Sequence, residues 1–500
     1  MAMAMASTPE LSIVCLSVVL FFLSLSSSYA ISHGLNHDPA TSPHLYSHAQ
    51  KLIRSLNIFP EESINIIEDD HSGFVPGQIV EKNFSFLGHS GPSVEDLGHH
   101  AGYYSLPRSK AARMFYFFFE SRKNKNDPVV IWLTGGPGCA SELALFYENG
   151  PFHITKNLSL TWNDYGWDQA SNIIFVDQPT GTGFSYSSDK SDLRHDETGV
   201  STDLYDFLQE FFKAHPNFVK NDFYIFGESY AGHYVPALAS RINSANKQKQ
   251  GLHINLKGLA IGNGFTNPAI QYEAYPDFAL QSRIITKAQY DIVRKSVPLC
   301  DRAIKNCGEK SCLLALEICE NIFGRILSFA GNINYFDIRK KCEGSMCYNF
   351  TNVETLLNMQ KVKSALGVRG DLKYNLCSIK VHNAMAEDTM RNLEVGIPAL
   401  LEDGIKLLVY AGEKDLVCNW LGNSRWVHAM KWSGQNAFGK SPVVKFVVDG
   451  AVAASLRSHG PLSFLKVHEA GHLVPMDRPK VSLQMFKRWM GGKMKIKGDN

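Results

Sequence analysis

The sequence has almost no net charge: 50 Lys and Arg stand against 48 Asp and Glu, leaving +2 at pH 7. A nucleic-acid or anionic-membrane partner calls for a basic excess, and this balance gives no reason to expect either. Long apolar runs are equally scarce. The one of note, "LSIVCLSVVLFFLSL" at residues 11–25, is too short to cross a bilayer and has the length of a signal-peptide core. No Lys or Arg precedes it, so only the amino terminus supplies positive charge there. "SSSYA" follows, with Ser28 and Ala30 at the positions a signal peptidase reads. A cleaved signal over 1–30 is expected, with no membrane attachment after its removal. C-x₂-C pairs are also absent, and no His cluster accompanies the cysteines, which argues against a zinc module.

A secreted chain is expected to pair its cysteines. Ten are present; Cys15 leaves with the signal, so nine remain. Nine is odd, so at least one thiol is expected to be free or to pair with another molecule. Six of the nine crowd into residues 300–347. The sequons at Asn83, Asn157 and Asn349 are candidate glycosylation sites.

Residues 31–86 lack cysteine and show no strong strand pattern, and they read as a pro-segment. From residue 113 the texture changes. "RMFYFFFES", "PVVIWLTGG", "ASNIIFVDQP", "NDFYIFGES" and "NLKGLAIGNG" read as strands, with helix-like stretches such as 198–214 between them. "GIKLLVYAGEKD" and "LSFLKVHEAGH" resume the pattern later. Short buried strands alternating with helices predict an α/β fold around a largely parallel sheet. Residues 266–384 interrupt it and read as a disulfide-stapled insertion. The expected division is a core in two parts, 87–265 and 385–485, and a tail from 486 to 500.

"FGESYAGHYVPALA" at 226–239 places Ser229 between an apolar strand and a helix, flanked by Gly227, Ala231 and Gly232. Strand, sharp turn and helix with small neighbours is the setting of a nucleophile elbow; a helix N-cap serine is the competing reading. A serine hydroxyl needs a base, and the base an orienting acid. Asp415 and His472 follow in the chain order of this type of site, each in a loop after an apolar strand, where α/β ligand sites gather. His468 competes with His472 for the role of base. The backbone N–H groups of Tyr230 and of Gly136, in "LTGGPG", are candidate oxyanion donors.

With "WLTGGPGCAS", "FYENGPF", "NIIFVDQPTGTGFSY", "VYAGEKDLVCNWLGN" and "GHLVPMDRP" added, the chain from about 100 to 485 resembles the serine carboxypeptidases of the α/β-hydrolase fold. That fold has a central, mostly parallel sheet, helices on both faces and a helical cap insertion. The resemblance implies a triad of Ser229, Asp415 and His472, and an oxyanion hole at Gly136 and Tyr230. It implies that Gly135, Glu148 and Glu228 hold a substrate carboxylate, with Thr134 where many relatives have Asn. It also implies the pairs Cys139–Cys377, Cys300–Cys319, Cys307–Cys312 and Cys342–Cys347, leaving Cys418 free beside the site. "GCAS" places Ala140 where the motif usually has Ser. The activity implied is release of C-terminal amino acids from peptides at acidic pH, without metal or cofactor, by a vacuolar or extracellular zymogen. An acyltransferase using an ester donor is the alternative on the same scaffold. A catalytically silent partner of other hydrolases is a second alternative, against which the complete triad argues.

Overall fold

The computed structural model describes residues 74–84, 99–307, 312–344 and 346–494. The expected signal peptide, the pro-segment as far as residue 73 and residues 495–500 of the expected tail lie outside the described residues.

Strands form where apolar, β-favouring residues run without interruption. β4 (Val129–Leu133) reads VVIWL with every residue buried. β7 (Asn172–Val176) and β8 (Phe223–Glu228) are buried throughout as well. Strands with no polar face must be covered on both sides. These three run parallel to β9 (Leu256–Gly262), β10 (Lys406–Gly412) and β13 (Leu462–Val467) in the centre of an 11-stranded sheet. Antiparallel strands close both sides. β1 (Ile79–Asn83), β2 (His99–Ser105) and β3 (Arg113–Phe119) join through β7. β12 (Ala451–His459) and β11 (Val444–Val448) follow β13. β5 (Phe152–Ile154) and β6 (Leu160–Trp162) form a separate hairpin.

Alternate strand residues feed the two layers, as the period of two requires. Trp132 and Phe226 pack with Trp167, Phe486 and Trp489 on one face. Ile131 and Ile225 pack on the other against α1 (Glu197–Ala214) and α2 (Ala231–Lys247), through Leu204, Phe207, Val235 and Leu238. A central parallel sheet with helices on both faces is the α/β-hydrolase architecture.

Two boundaries move. The span 31–86 contains β1, which pairs with β2 at the sheet edge, so residues 79–83 belong to the sheet despite the absence of a strand pattern. At the other end the tail does not start at 486. A helix runs from Pro479 to Met490, and Phe486 and Trp489 are buried in the core, with Phe486 stacked on Trp167 at 4.2 Å.

The insertion is helical: α3 (Pro268–Gln281), α4 (Lys287–Arg294), α5 (Val297–Lys305) and α6 (Leu313–Ala330) precede shorter segments that end in α7 (Ile379–Ala384). Its cysteines pair as Cys300–Cys319, Cys307–Cys312 and Cys342–Cys347, and Cys139–Cys377 ties it to the core. Cys418 is free and buried. Asn83, Asn157 and Asn349 are all exposed.

One buried pair links the fold to pH. Glu142 and Asp177 are fully enclosed and share a hydrogen bond. Asp177 accepts the N–H groups of Ser141 (3.2 Å) and Phe184 (2.8 Å), so Glu142 is the partner that keeps a proton. Burial pushes Asp177 up to about 6 and Glu142 well above the usual carboxylate range. The native pair therefore holds protons that the unfolded chain releases near pH ~4. Its contribution is whole below that pH and is lost as pH rises through about 6, at ~3 kcal/mol for Asp177 alone. The thermal midpoint is expected to fall between about pH 5 and about pH 7.5, and to fall less in Glu142→Gln, which keeps a donor but does not titrate. Equal slopes for the two proteins in scanning fluorimetry would remove this pair as a cause.

Candidate active site

β8 delivers Ser229 into a turn that few residues tolerate. Its φ is +65°, in the left-handed region. Its N–H donates to Gly262 O (3.1 Å), and its carbonyl accepts from Gly232 and Phe265, both at 2.9 Å. A Cβ on Gly232 would lie 2.4 Å from Phe265 O, so only glycine lets α2 start this close to the β9 loop. Ser229 is not the N-cap of α2. Tyr230 takes that place, and no side chain caps the helix. This is the backbone that an elbow requires, whereas an N-cap serine would have to occupy the place that Tyr230 takes.

His472 and Asp415 come from the loops after β13 and β10. His472 Nδ1 donates to Asp415 Oδ2 at 2.8 Å, and both groups are buried. The same oxygen accepts from Asn263 Nδ2 (2.7 Å) and the Cys418 N–H (3.2 Å), while Oδ1 accepts the Val417 N–H (2.9 Å). Three donors besides the ring hold this carboxylate as an acceptor, which directs the ring Nδ1–H toward it and leaves Nε2 for another partner. The insertion braces both loops: His472 N–H donates to Phe336 O (2.7 Å) and Val417 N–H to Tyr335 O (3.1 Å). His468 is turned away, its Nε2 2.9 Å from Ser455 Oγ.

Ser229, Tyr230 and His472 line one cavity of about 170 Å³ with Thr134, Gly135, Gly136, Glu228 and Cys418. Gly135 presses against the elbow: a Cβ there would lie 2.4 Å from Tyr230 N and 2.8 Å from Ser229 Cβ. Among the described residues, the N–H groups of Gly136 and Tyr230 donate to no protein acceptor. The Tyr230 hydroxyl donates to Asp388 Oδ2 (2.8 Å), which fixes that residue from the far side. Thr134 Oγ1 accepts from Trp132 Nε1 at 2.9 Å, so its own hydrogen is left to donate elsewhere.

Glu228 is on the cavity wall, and Glu148 stands behind it, off the wall. Both are buried and hydrogen-bonded to each other. No N–H or O–H donor of another described residue reaches either Glu148 oxygen, so the bond between the two carboxyls requires a proton. Burial pushes Glu148 up to about 8, assisted by the Asp477 charge. Burial also pushes Glu228 well above the usual range, with Glu148, Asp415 and Asp477 adding to it. The Cys418 thiol lies beside Ser229 and is pushed up by burial and by the Asp415 and Glu228 charges.

The residues singled out in the sequence thus converge, except that Glu148 lies behind Glu228 and off the cavity wall. Sequence reasoning missed Asn263, Trp132 and the aromatic lining from the insertion, which includes Tyr272, Tyr275, Tyr335 and Tyr348. Asn263 sits within "AIGNG", a motif visible in the sequence but without an assignable role. Ala140 is fully buried, and nothing in the structure gives its replacement of Ser a functional reason.

The serine carboxypeptidase family profile matches residues 90–492. Serine carboxypeptidase-like 49 of Arabidopsis thaliana is 61% identical over 451 residues, spanning 88% of this chain and 87% of its own. Serine carboxypeptidase 3 of Oryza sativa subsp. japonica is 59% identical over 482 residues, spanning 96% of each. The crystal structure of KEX1(delta)P, a prohormone-processing carboxypeptidase from Saccharomyces cerevisiae, superposes with a TM-score of 0.71 at 25% identity. That match covers 83% of this chain and 91% of the other.

Proposed function

The chain belongs to the serine carboxypeptidase family and is a serine-type carboxypeptidase of the hydrolase class, and from that premise we propose that it releases single amino acids from peptide C-termini, most efficiently in acid. Ser229 Oγ attacks the last peptide carbonyl while His472 Nε2 takes its proton. The N–H groups of Gly136 and Tyr230 receive the oxyanion. His472 returns the proton to the departing amino acid, and a water then repeats the sequence on the acyl-enzyme. Asp415 keeps His472 in the required tautomer. Glu228 with Glu148 behind it, Thr134 and the Gly135 backbone receive the substrate's terminal carboxylate.

The observation that carries this reading is the buried Glu148–Glu228 pair, which meets the cavity of Ser229 through Glu228. A proton shared between two carboxyls beside a nucleophile suits recognition of a free carboxylate. A glucose-ester acyl donor has no such group to be recognised. Incubating the purified enzyme with blocked dipeptides and, separately, with a glucose-ester donor plus an acceptor tests it directly. Free C-terminal amino acid from the dipeptides supports the proposal; acyl transfer without peptide cleavage would replace it by the acyltransferase reading. Exposed asparagines in all three sequons and four disulfides support passage through the secretory pathway to a vacuolar or extracellular destination.

Cys418 yields a separate expectation. The mechanism needs no thiol, yet a heavy atom on this one would fill the space beside Ser229. A mercurial is expected to inactivate the native enzyme, and Cys418→Ser to remain active and become resistant. Unchanged sensitivity of that variant would place the reactive thiol elsewhere.

A further inference from the structure

The cavity has two unlike ends. Near Gly135 and Thr134 it is polar and ends at Glu228. Beyond Cys418 it runs under the insertion, between Phe265, Tyr272 and Tyr275 on one side and Leu316 and Glu320 of α6 on the other. If the terminal residue of a peptide occupies the first end, the residue whose carbonyl Ser229 attacks projects its side chain into the second.

The residues named at that second end are apolar or aromatic apart from Glu320. Tyr275 spends its hydroxyl on Val417 O at 2.6 Å. Cys418 is held as a neutral thiol by burial and neighbouring negative charge. Glu320 accepts from the Tyr272 hydroxyl, and among the described residues no Lys, Arg or His pairs with it. The titratable groups facing it are Tyr272 and Tyr275 of α3, with Cys418 beyond them. Its position is firmly set. Cys319, its chain neighbour, is disulfide-bonded to Cys300 of α5, and Leu316 one turn earlier lines the same wall. A carboxyl on a rigid helix, in an apolar pocket and without a cation, lacks the counter-charge that its ionised form requires.

We propose that Glu320 is a specificity-determining residue that receives a Lys or Arg side chain at the penultimate position of the peptide, and that its protonated form admits an apolar side chain instead. The inference rests on the carboxypeptidase reading and deepens it. Burial raises the Glu320 carboxyl above its ordinary range, and the Tyr272 hydroxyl works against that rise. In acid the pocket is therefore neutral, and unbranched apolar side chains fit. As pH rises the carboxylate appears, and a cation supplies the missing charge.

The test uses two blocked dipeptides with a common C-terminal residue, one with lysine and one with norleucine before it. The ratio of their kcat/KM values cancels the ionisation of the triad and of the Glu148–Glu228 pair, which act on both alike. In the wild type the lysine-to-norleucine ratio is expected to rise by about tenfold or more between about pH 4 and about pH 7. In Glu320→Gln, which keeps the shape and the Tyr272 contact, the ratio should be low and flat. Tyr272→Phe, which removes the opposing hydrogen bond, should move the wild-type rise to higher pH. A ratio independent of pH in the wild type, with both dipeptides cleaved, overturns the role of Glu320 and leaves the carboxypeptidase reading intact. Failure to cleave either dipeptide overturns both.

Discussion

Replacing Ser229 by alanine is expected to lower kcat by a factor on the order of 10⁶, with peptide binding and folding retained. The size follows from the unit that the serine completes. Nδ1 of His472 is committed to Asp415, whose carboxylate accepts three further donors, so the ring has one nitrogen left and Ser229 shares its cavity. Without the hydroxyl there is nothing for that nitrogen to activate, while the unpaired N–H groups of Gly136 and Tyr230 and the Glu228 end of the cavity are untouched. The fold should tolerate the change, because alanine meets the same left-handed backbone at φ +65° that serine does. Loss of fluorophosphonate labelling, with binding of a product amino acid preserved, is the accompanying observation. A purified variant that keeps a tenth of the wild-type rate would end the triad assignment. His472→Ala should be nearly as severe, and His468→Ala mild, since His468 is bonded to Ser455 on the β12 side of the sheet.

The strand and turn that carry Ser229, the loops after apolar strands that carry Asp415 and His472, and the core strands were legible because each is local. A short apolar run bounded by polar residues, glycine or proline marks a buried strand, and β4, β7, β8, β9, β10 and β13 are where those runs fall. What escaped was sheet edge. β1 and β2 carry Glu81, Lys82, His99 and His100, and β1 leaves most of its side chains exposed, so no apolar period announces it. β11 and β12 did carry a signal. Asp449 and Gly450 between them have φ of +49° and +79°, the turn that Asp-Gly favours in a two-residue hairpin. The walls of the cavity were illegible for a different reason. Tyr272, Glu320 and Tyr335 lie on separate segments of the insertion, and only the tertiary fold, stapled by Cys300–Cys319, brings them over Ser229. Burial of Glu148 behind Glu228 likewise depends on how the helix Glu142–Tyr147 ends against β8. No spacing encodes that.

The pair itself leads to the second large effect. Asp415 and Asp477 both face Glu228, and neither lends it a proton. Asp415 is tied to His472, and Asp477 accepts the Gly471 N–H (2.6 Å) and pairs with Lys340 Nζ at 3.3 Å. Negative charge on both sides, with burial, raises the pair's proton affinity: Glu148 is pushed up to about 8 and Glu228 well above the usual carboxylate range, so the shared proton is still held once Glu148 has ionised. While it is held, the pair can donate to a substrate carboxylate; once it is lost, three carboxylates repel one another. KM for a blocked dipeptide acid should therefore be low and level in acid, then climb by about tenfold per pH unit beyond the pair's upper apparent pKa. The matching C-terminal amide carries no charge there and should show no such climb. Comparing the two removes any titration of the catalytic base, which serves both. Initial rates must be taken before the alkaline loss of stability expected from Glu142 and Asp177 intervenes. The double variant Glu148→Gln with Glu228→Gln keeps donors that do not titrate, so its acid-substrate profile should be flat. Parallel KM curves for acid and amide in the wild type would mean that the pair does not read the carboxylate, and that preference for a free C-terminus arises at Thr134 and the Gly135 backbone alone.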